Sequence, residues 1–236
     1  MDILSLASSS AGNCYRISDG STALLLEAGI PIQKIKQGIN YKLSEVHGCL
    51  ISHSHMDHCK AVKDILKAGI DVYATEETLE VIGVLGDHRA NAISVHKQFT
   101  INTFIIKAFE TQHDCPGSVG YLIYSTATHE KLVFITDSYY VRYVFSGLTH
   151  IMIECNYAAD ILQANVKNGS LPEAQHARLV KSHFSLDHVK QFMRANDLSR
   201  VQEIYLLHLS AGNSDAGRFK REIQAVTGKR VIVCDE

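Results

Sequence analysis

His53-Ser54-His55-Met56-Asp57-His58 gathers four metal-ligating side chains into six residues, directly behind the apolar stretch Gly48-Cys49-Leu50-Ile51. Imidazole nitrogens and carboxylate oxygens are ligands of Zn²⁺, Mn²⁺ and Fe²⁺, and a strand running into a loop fans alternate side chains around two neighbouring ions. Four such groups side by side cost more desolvation than a structural turn requires. Any one of these histidines alone reads as a hydrogen-bonded surface or core residue; the HxHxDH spacing favours a ligand loop.

Working outward, the chain has 236 residues, 46% of them hydrophobic, with only 3 prolines and no low-complexity stretch. That is enough for a substantial core, and the absence of a Pro/Gly/Ser-rich linker predicts a single domain over 1–236. A formal net charge of −2 excludes a globally basic nucleic-acid binder but leaves room for a local basic patch. Met1-Asp2-Ile3-Leu4-Ser5 lacks the basic segment and apolar run of a signal peptide, and no stretch has the length of a membrane span. The expectation is a cytoplasmic protein that does not enter a membrane. Six cysteines without a CxxC pair read as reduced thiols; Cys59 and Cys115 stand beside candidate ligands.

Periodicity predicts strands at Asp2-Leu6, Cys14-Ile17, Ala23-Glu27, Gly48-Ser52, Asp71-Ala74, Phe104-Ala108, Ser118-Tyr124, Lys131-Thr136, His150-Glu154, Glu203-Leu209 and Arg230-Cys234. Helices are predicted at Ile32-Gly38, Cys59-Ala68, Glu76-Val84, Leu171-Ser182, Leu186-Asn196 and Ala216-Thr227, with Ser185 and Asp215 as N-caps and Gly228 as a stop. Three further ligand types stand at or just beyond strand ends: His113 after Phe104-Ala108, Asp137 after Lys131-Thr136, and His208 after Ile204-Leu207.

In this order and setting the motifs resemble those of the metallo-β-lactamase superfamily, from Leu24-Glu27 to His208. The resemblance implies an α/β fold, an αββα sandwich of two mixed β-sheets flanked by helices. It implies that His53, His55 and His113 hold one metal, that Asp57, His58 and His208 hold a second, and that Asp137 bridges them. It gives Glu27, standing where the superfamily usually has an aspartate, the task of orienting the ligand loop. The antibiotic-cleaving branch has a cysteine in place of Asp137, so antibiotic hydrolysis is not expected.

Two ions a few ångströms apart hold a bridging hydroxide and clamp both oxygens of an in-line displacement, which suits phosphodiesters and activated carbonyls alike. Zn²⁺ or Mn²⁺ is expected, and Fe²⁺ accepts the same donors. The opening Ser5-Leu6-Ala7-Ser8-Ser9-Ser10-Ala11-Gly12-Asn13 and the later Ser182-His183-Phe184-Ser185 resemble the YycJ (WalJ)-type, exonuclease-like branch of bacteria and phages, with Ala11, Ser182 and Phe184 departing from its pattern. Small hydroxyl residues with Gly12 and Asn13 offer donors to a phosphate, and equally make an ordinary turn. Ser10, Gly12 and Asn13 are thus candidate substrate contacts, joined by Asn213 from the echo Ser210-Ala211-Gly212-Asn213. Asp57, as ligand and proton handler, and His183, beside the leaving oxygen, are the candidate catalytic residues. His188 reads as a helix-face residue, and Arg218, Lys220 and Arg221 as a solvated basic face.

The expected activity is that of a metal-dependent phosphodiesterase, a DNA exonuclease or related nuclease with nucleic acid as substrate. A small-molecule hydrolase of thioesters, lactones or cyclic phosphodiesters keeps the same site, and a non-catalytic metal-binding regulator is the reading from another class. A homo-oligomer or a partner protein remains open.

Overall fold

The computed structural model describes residues 1–234. The described residues fall into two compact units, the first comprising residues 1–110 and 115–130 and the second 111–114 and 131–234.

In the first unit, β1 (Asp2–Ser9), β2 (Gly12–Ser18), β3 (Ala23–Leu26), β4 (Val46–Leu50), β5 (Val72–Thr75) and β6 (Ala90–Ile93) form a mixed sheet in sequence order. β1, β2 and β3 pair antiparallel and β3 to β6 parallel. Helices α1 (Ile32–Gly38), α2 (Met56–Cys59), α3 (Val62–Lys67) and α4 (Glu76–Ile82) fall between its strands. Ile35, Val62, Ile65 and Leu79 from three of these helices are buried in one core with Leu25, Cys49 and Val72 from the sheet. An antiparallel ladder, β7 (Gln98–Ile101), β8 (Phe104–Glu110) and β9 (Val119–Ser125), completes the unit.

In the second unit, β10 (Lys131–Ile135), β11 (His150–Glu154), β12 (Glu203–Leu207) and β13 (Arg230–Val233) are adjacent and parallel. Parallel strands covered on both faces read as continuous apolar runs, and Leu132-Val133-Phe134-Ile135 and Ile204-Tyr205-Leu206-Leu207 are such runs, buried throughout. Helices α5 (Ala159–Lys167), α6 (Glu173–Ser182), α7 (Leu186–Ala195) and α8 (Ala216–Thr227) accompany them. The caps are as the sequence predicts: Ser185 and Asp215 accept from the amides of His188 and Arg218, and Gly228 ends α8 with left-handed backbone.

Candidate metal centre

In both units ligand-type side chains stand at the carboxyl ends of parallel strands, the place where open α/β sheets bind ligands, with His113 following β8 and His183 following α6. In the first unit the chain leaves β4 at Leu50 and reaches His53 through buried Ile51 and Ser52. The amides of His58 and Cys59 donate to His55 O at 2.9 and 3.1 Å, so the ligand loop itself closes as the first helical turn. Three imidazoles come together there, with His53 to His55 ring centroids 4.8 Å apart and His53 to His58 4.2 Å. Asp57 Oδ2 lies 3.3 Å from His58 Nε2, and Ser52 Oγ 2.8 Å from His53 Nδ1.

Glu27 stands behind this loop. It is fully buried, receives the Ser52 amide at 3.1 Å and lies 3.6 Å from His58 Nδ1. Burial pushes its carboxyl above the usual range, with His58 and the Ser52 hydrogen bonds opposing. The loop after β3 is also a backbone cradle: Ala28 N donates to His58 O and receives Ala61 N through its own carbonyl, both at 2.8 Å. A Cβ on Gly29 would stand 1.7 Å from Asp57 O, so only glycine permits this approach.

The serine-rich opening lies under the same loop. Asn13 is buried, and its Nδ2 reaches Ser9 O (3.0 Å), Asp57 O (3.3 Å) and His58 Nε2 (3.2 Å). Gly12 is buried, with room for no Cβ against Gly29 O at 2.6 Å, whereas Ser10 is exposed at the β1–β2 turn. Cys59 Sγ donates to Ser54 O at 3.2 Å and Cys115 Sγ lies 2.9 Å from Ser54 Oγ, so both thiols brace the ligand loop. Burial pushes the Cys59 thiol up to about 12.

In the second unit β10, β11 and β12 run in register, with Ile135 opposite Ile153 and Glu154 opposite Leu207. Their ends therefore present Asp137, Glu154 and His208 at one level. Asp137 Oδ2 is 3.8 Å from His113 Nε2 and Oδ1 is 3.9 Å from His208 Nε2. His113 Nδ1 lies 3.1 Å from the Ser182 carbonyl, and its Nε2 faces Asp114 Oδ1 at 3.2 Å as well as Asp137. Burial lowers the pKa of His113 despite the Asp137 charge, which suits a neutral ligand.

Glu154, which the sequence pattern marks only as the end of a strand, stands among the ligand groups. Fully buried, it receives the amides of Ser138 and Phe184, both at 3.1 Å, and bonds His183 Nδ1 at 2.5 Å, with His208 Nδ1 at 3.5 Å. Burial raises its pKa, but the charge of His183 and the hydrogen bonds of His183 and His208 together outweigh this and hold the carboxyl below its usual range. Burial likewise opposes charge on His183, and Glu154 outweighs it, so the imidazole sits above its ordinary value. The signal was present in the wholly apolar run Ile151-Met152-Ile153 ending on a carboxylate, the same strand-end position as Asp137. Asn156 adds a second support to His208, its Nδ2 lying 3.1 Å from Nδ1 and 2.9 Å from the carbonyl.

Asp137, Glu154, His183 and His208 offer ligand atoms within 4.8 Å of one another. Carboxylate and imidazole donors at this spacing fit a divalent cation. Three residues of the ligand groups and their supports also hold left-handed backbone, Glu27 (φ 66°), Asp137 (φ 35°) and His208 (φ 53°). Such backbone costs roughly 1–2 kcal/mol per non-glycine residue, strain that concentrates at functional sites. Asn213, the other half of the sequence echo, is buried and fixed by Asn165 and Ser210 at 2.9 and 3.1 Å. In the basic cluster, Arg218 is paired with Asp160 and Glu222, each at 2.7 Å, while Lys220 and Arg221 are exposed.

Two mixed sheets with flanking helices and strand-end His/Asp clusters define a class, the metal-dependent hydrolases of metallo-β-lactamase fold. Residues 28–209 match the family described as the beta-lactamase superfamily domain, and the chain belongs to it. Among its relatives, it is 28% identical over 225 residues to a Streptococcus pneumoniae protein named exodeoxyribonuclease WalJ, covering 89% of this chain and 81% of that one. It is 26% identical over 223 residues to a Bacillus anthracis protein named exodeoxyribonuclease YycJ, covering 89% and 82%. Among solved structures, the metallo-beta-lactamase fold protein YhfI of Bacillus subtilis matches with a TM-score of 0.74 at 16% identity, covering 99% of this chain and 95% of that one.

Proposed function

We propose that the protein is a metal-dependent DNA exonuclease in which the two units form one metallo-β-lactamase-type domain. What carries this reading is the likeness, across 89% of the chain, to relatives named exodeoxyribonuclease. The family match over 28–209, which includes residues of both units, supports treating them as halves of one domain. In this reading His53, His55 and His113 hold one divalent ion, Asp57, His58 and His208 a second, and Asp137 serves both; Zn²⁺ or Mn²⁺ suits these donors. When bound, the ions supply Lewis-acid stabilisation and a nucleophile from water.

The chain's own residues do the rest. Asp57 ligates and handles a proton, Glu27 orients the His58 side of the loop, and Glu154 holds His183 in its protonated form beside the leaving oxygen. Ser10 is the exposed donor of the opening turn, and Gly12, Asn13 and Asn213 set the shape of the loops that meet the substrate. No helix among the described residues is long and apolar enough to cross a membrane. In this reading the protein acts on DNA in the cytoplasm, as a homo-oligomer or with a partner protein.

The test is cleavage of 5′-labelled single- and double-stranded DNA and RNA by protein reconstituted with Mn²⁺ or Zn²⁺. Stepwise shortening of DNA that Asp57→Ala abolishes is the expected result. A fully metal-loaded protein that leaves every strand intact would overturn the nuclease reading in favour of a small ester or cyclic phosphodiester.

A further inference from the structure

The second unit contains a cavity of 420 Å³ between the loop after β10 and α7, lined by none of the proposed metal ligands. Its walls include Tyr139, Tyr140, Arg142 and Tyr143 from the loop, with Phe184 and Phe192 beneath. This size lies within the range of about 300–1,000 Å³ typical of small-ligand sites. We propose that it seats the terminal, unpaired nucleobase of the strand being degraded, an inference that rests on the nuclease reading and names where that substrate is held.

Chain continuity comes first. Tyr139 stands two residues after Asp137, and Phe184 directly follows His183, so the segments that carry the proposed ligand and proton donor continue into the cavity wall. The wall is also held in shape before any ligand arrives. Ser138 Oγ accepts the Gln112 amide at 2.9 Å and donates to Tyr140 O at 2.8 Å, and Tyr139 N donates to Gln112 O at 3.1 Å. At the far end Phe145 N donates to Asn196 Oδ1 at 2.7 Å, and Asn196 Nδ2 to Phe192 O at 2.8 Å.

The chemistry points to a base with its phosphate. Tyr140 is 55% exposed and Tyr139 37%, aromatic surface presented to solvent beside a buried Phe184 floor. Stacking on such faces is tolerant of sequence because every base has a π-face. No carboxylate lines the cavity; Arg142, exposed and in no ion pair among the described residues, is its one formally charged wall residue. An aromatic slot with a free guanidinium and no acidic group complements a nucleotide better than a neutral apolar side chain.

The test uses pairs of single-stranded oligonucleotides that differ only in whether a terminal nucleotide carries its base or is abasic, made for each end in turn. Affinity is measured on the full-length protein in chelator, by the anisotropy of a fluorophore carried at the opposite end of both strands, and kcat/KM on the Mn²⁺-loaded protein. At one end, the base-bearing strand should bind on the order of tenfold more tightly than the abasic one. Tyr140→Ala should remove that preference while leaving abasic affinity unchanged, and Tyr140→Phe should retain it. A general loosening of the loop would weaken both strands equally, which sets a stacking role apart from a structural one. Wild-type protein that degrades DNA without discriminating at either end overturns the base pocket and leaves the nuclease reading standing. The same holds for a Tyr140→Ala protein that keeps the full preference. A tight dimer that Tyr140→Ala dissociates would assign the cavity to a second copy and overturn the proposal. Absence of any DNA cleavage or binding removes both readings together.

Discussion

Glu154 shows how one buried carboxylate organises a site without being an expected ligand. Its two oxygens meet two backbone amides and two imidazoles, so it fixes the loops of Ser138 and Phe184 and the tilt of His183 and His208 at once. Glu154→Gln keeps the volume but removes the charge and replaces one acceptor with a donor facing His183. Supports of this kind typically alter metal affinity by about 10- to 100-fold, and a loss of that size is expected by metal titration. Unchanged affinity would show Glu154 to be a packing residue only. Asp19 makes a different case, away from the site. Burial works against its charge, but hydrogen bonds from Thr103, Ser125, Thr22 and Ser21 outweigh it and hold the carboxyl at about 2. A carboxyl depressed in the folded state stabilises the protein above its unfolded value, and that stabilisation is lost as pH falls from about 4 towards 2. Asp19→Asn should therefore cost about 1 kcal/mol at pH 7, with the gap in Tm narrowing at pH 3. A pH-independent gap would mean the charge contributes nothing.

At the scale of elements, the ligand loop depends on a backbone seat that side-chain patterns do not reveal. The loop after β3 meets Asp57 and His58 through main-chain atoms, and Gly29 is where the two chains touch. Gly29→Ala places a methyl group against backbone on both sides, with Asp57 O at 1.7 Å and Asn13 N at 2.7 Å. Neither can swing aside as a side-chain tip would, so a destabilisation of about 3 kcal/mol or more is expected, together with loss of metal binding at His58. A melting curve matching the wild type would show that the loop re-seats itself. The same main-chain logic explains what the sequence hid. The predicted helix Cys59-Ala68 is two pieces, α2 starting earlier at Met56 and α3 at Val62, because Ala61 N is drawn away to Ala28 O. β6 and β7 escape the sequence pattern because they are four-residue, largely unburied strands, too short for their alternation to stand out, and α5 because Leu162 is its only buried residue. The strand-end ligands were legible because long apolar runs end abruptly on His or Asp. Glu154 obeys the same rule but stood among residues read only as strand.

For the molecule as a whole, the proposed ligand assignment makes a prediction about metal-dependent stability. Each unit by itself assembles a partial donor set, three imidazoles and Asp57 in the first, and Asp137, Glu154, His183, His208 and His113 in the second. Metal that binds the folded chain alone stabilises it by mass action, about 2.7 kcal/mol when free metal is a hundred times its Kd. For a chain of 236 residues that corresponds to a rise in Tm of roughly 5–10 °C, and chelation should reverse it. His55→Ala removes a donor from the first unit and Asp137→Asn a charge from the second. If the centre is shared, each substitution alone should abolish most of the metal-dependent rise while leaving the melting of the chelated protein near that of the wild type. If one variant keeps the full rise, the unit it alters does not hold the metal. The proposed assignment of Asp137 to both ions would then be wrong.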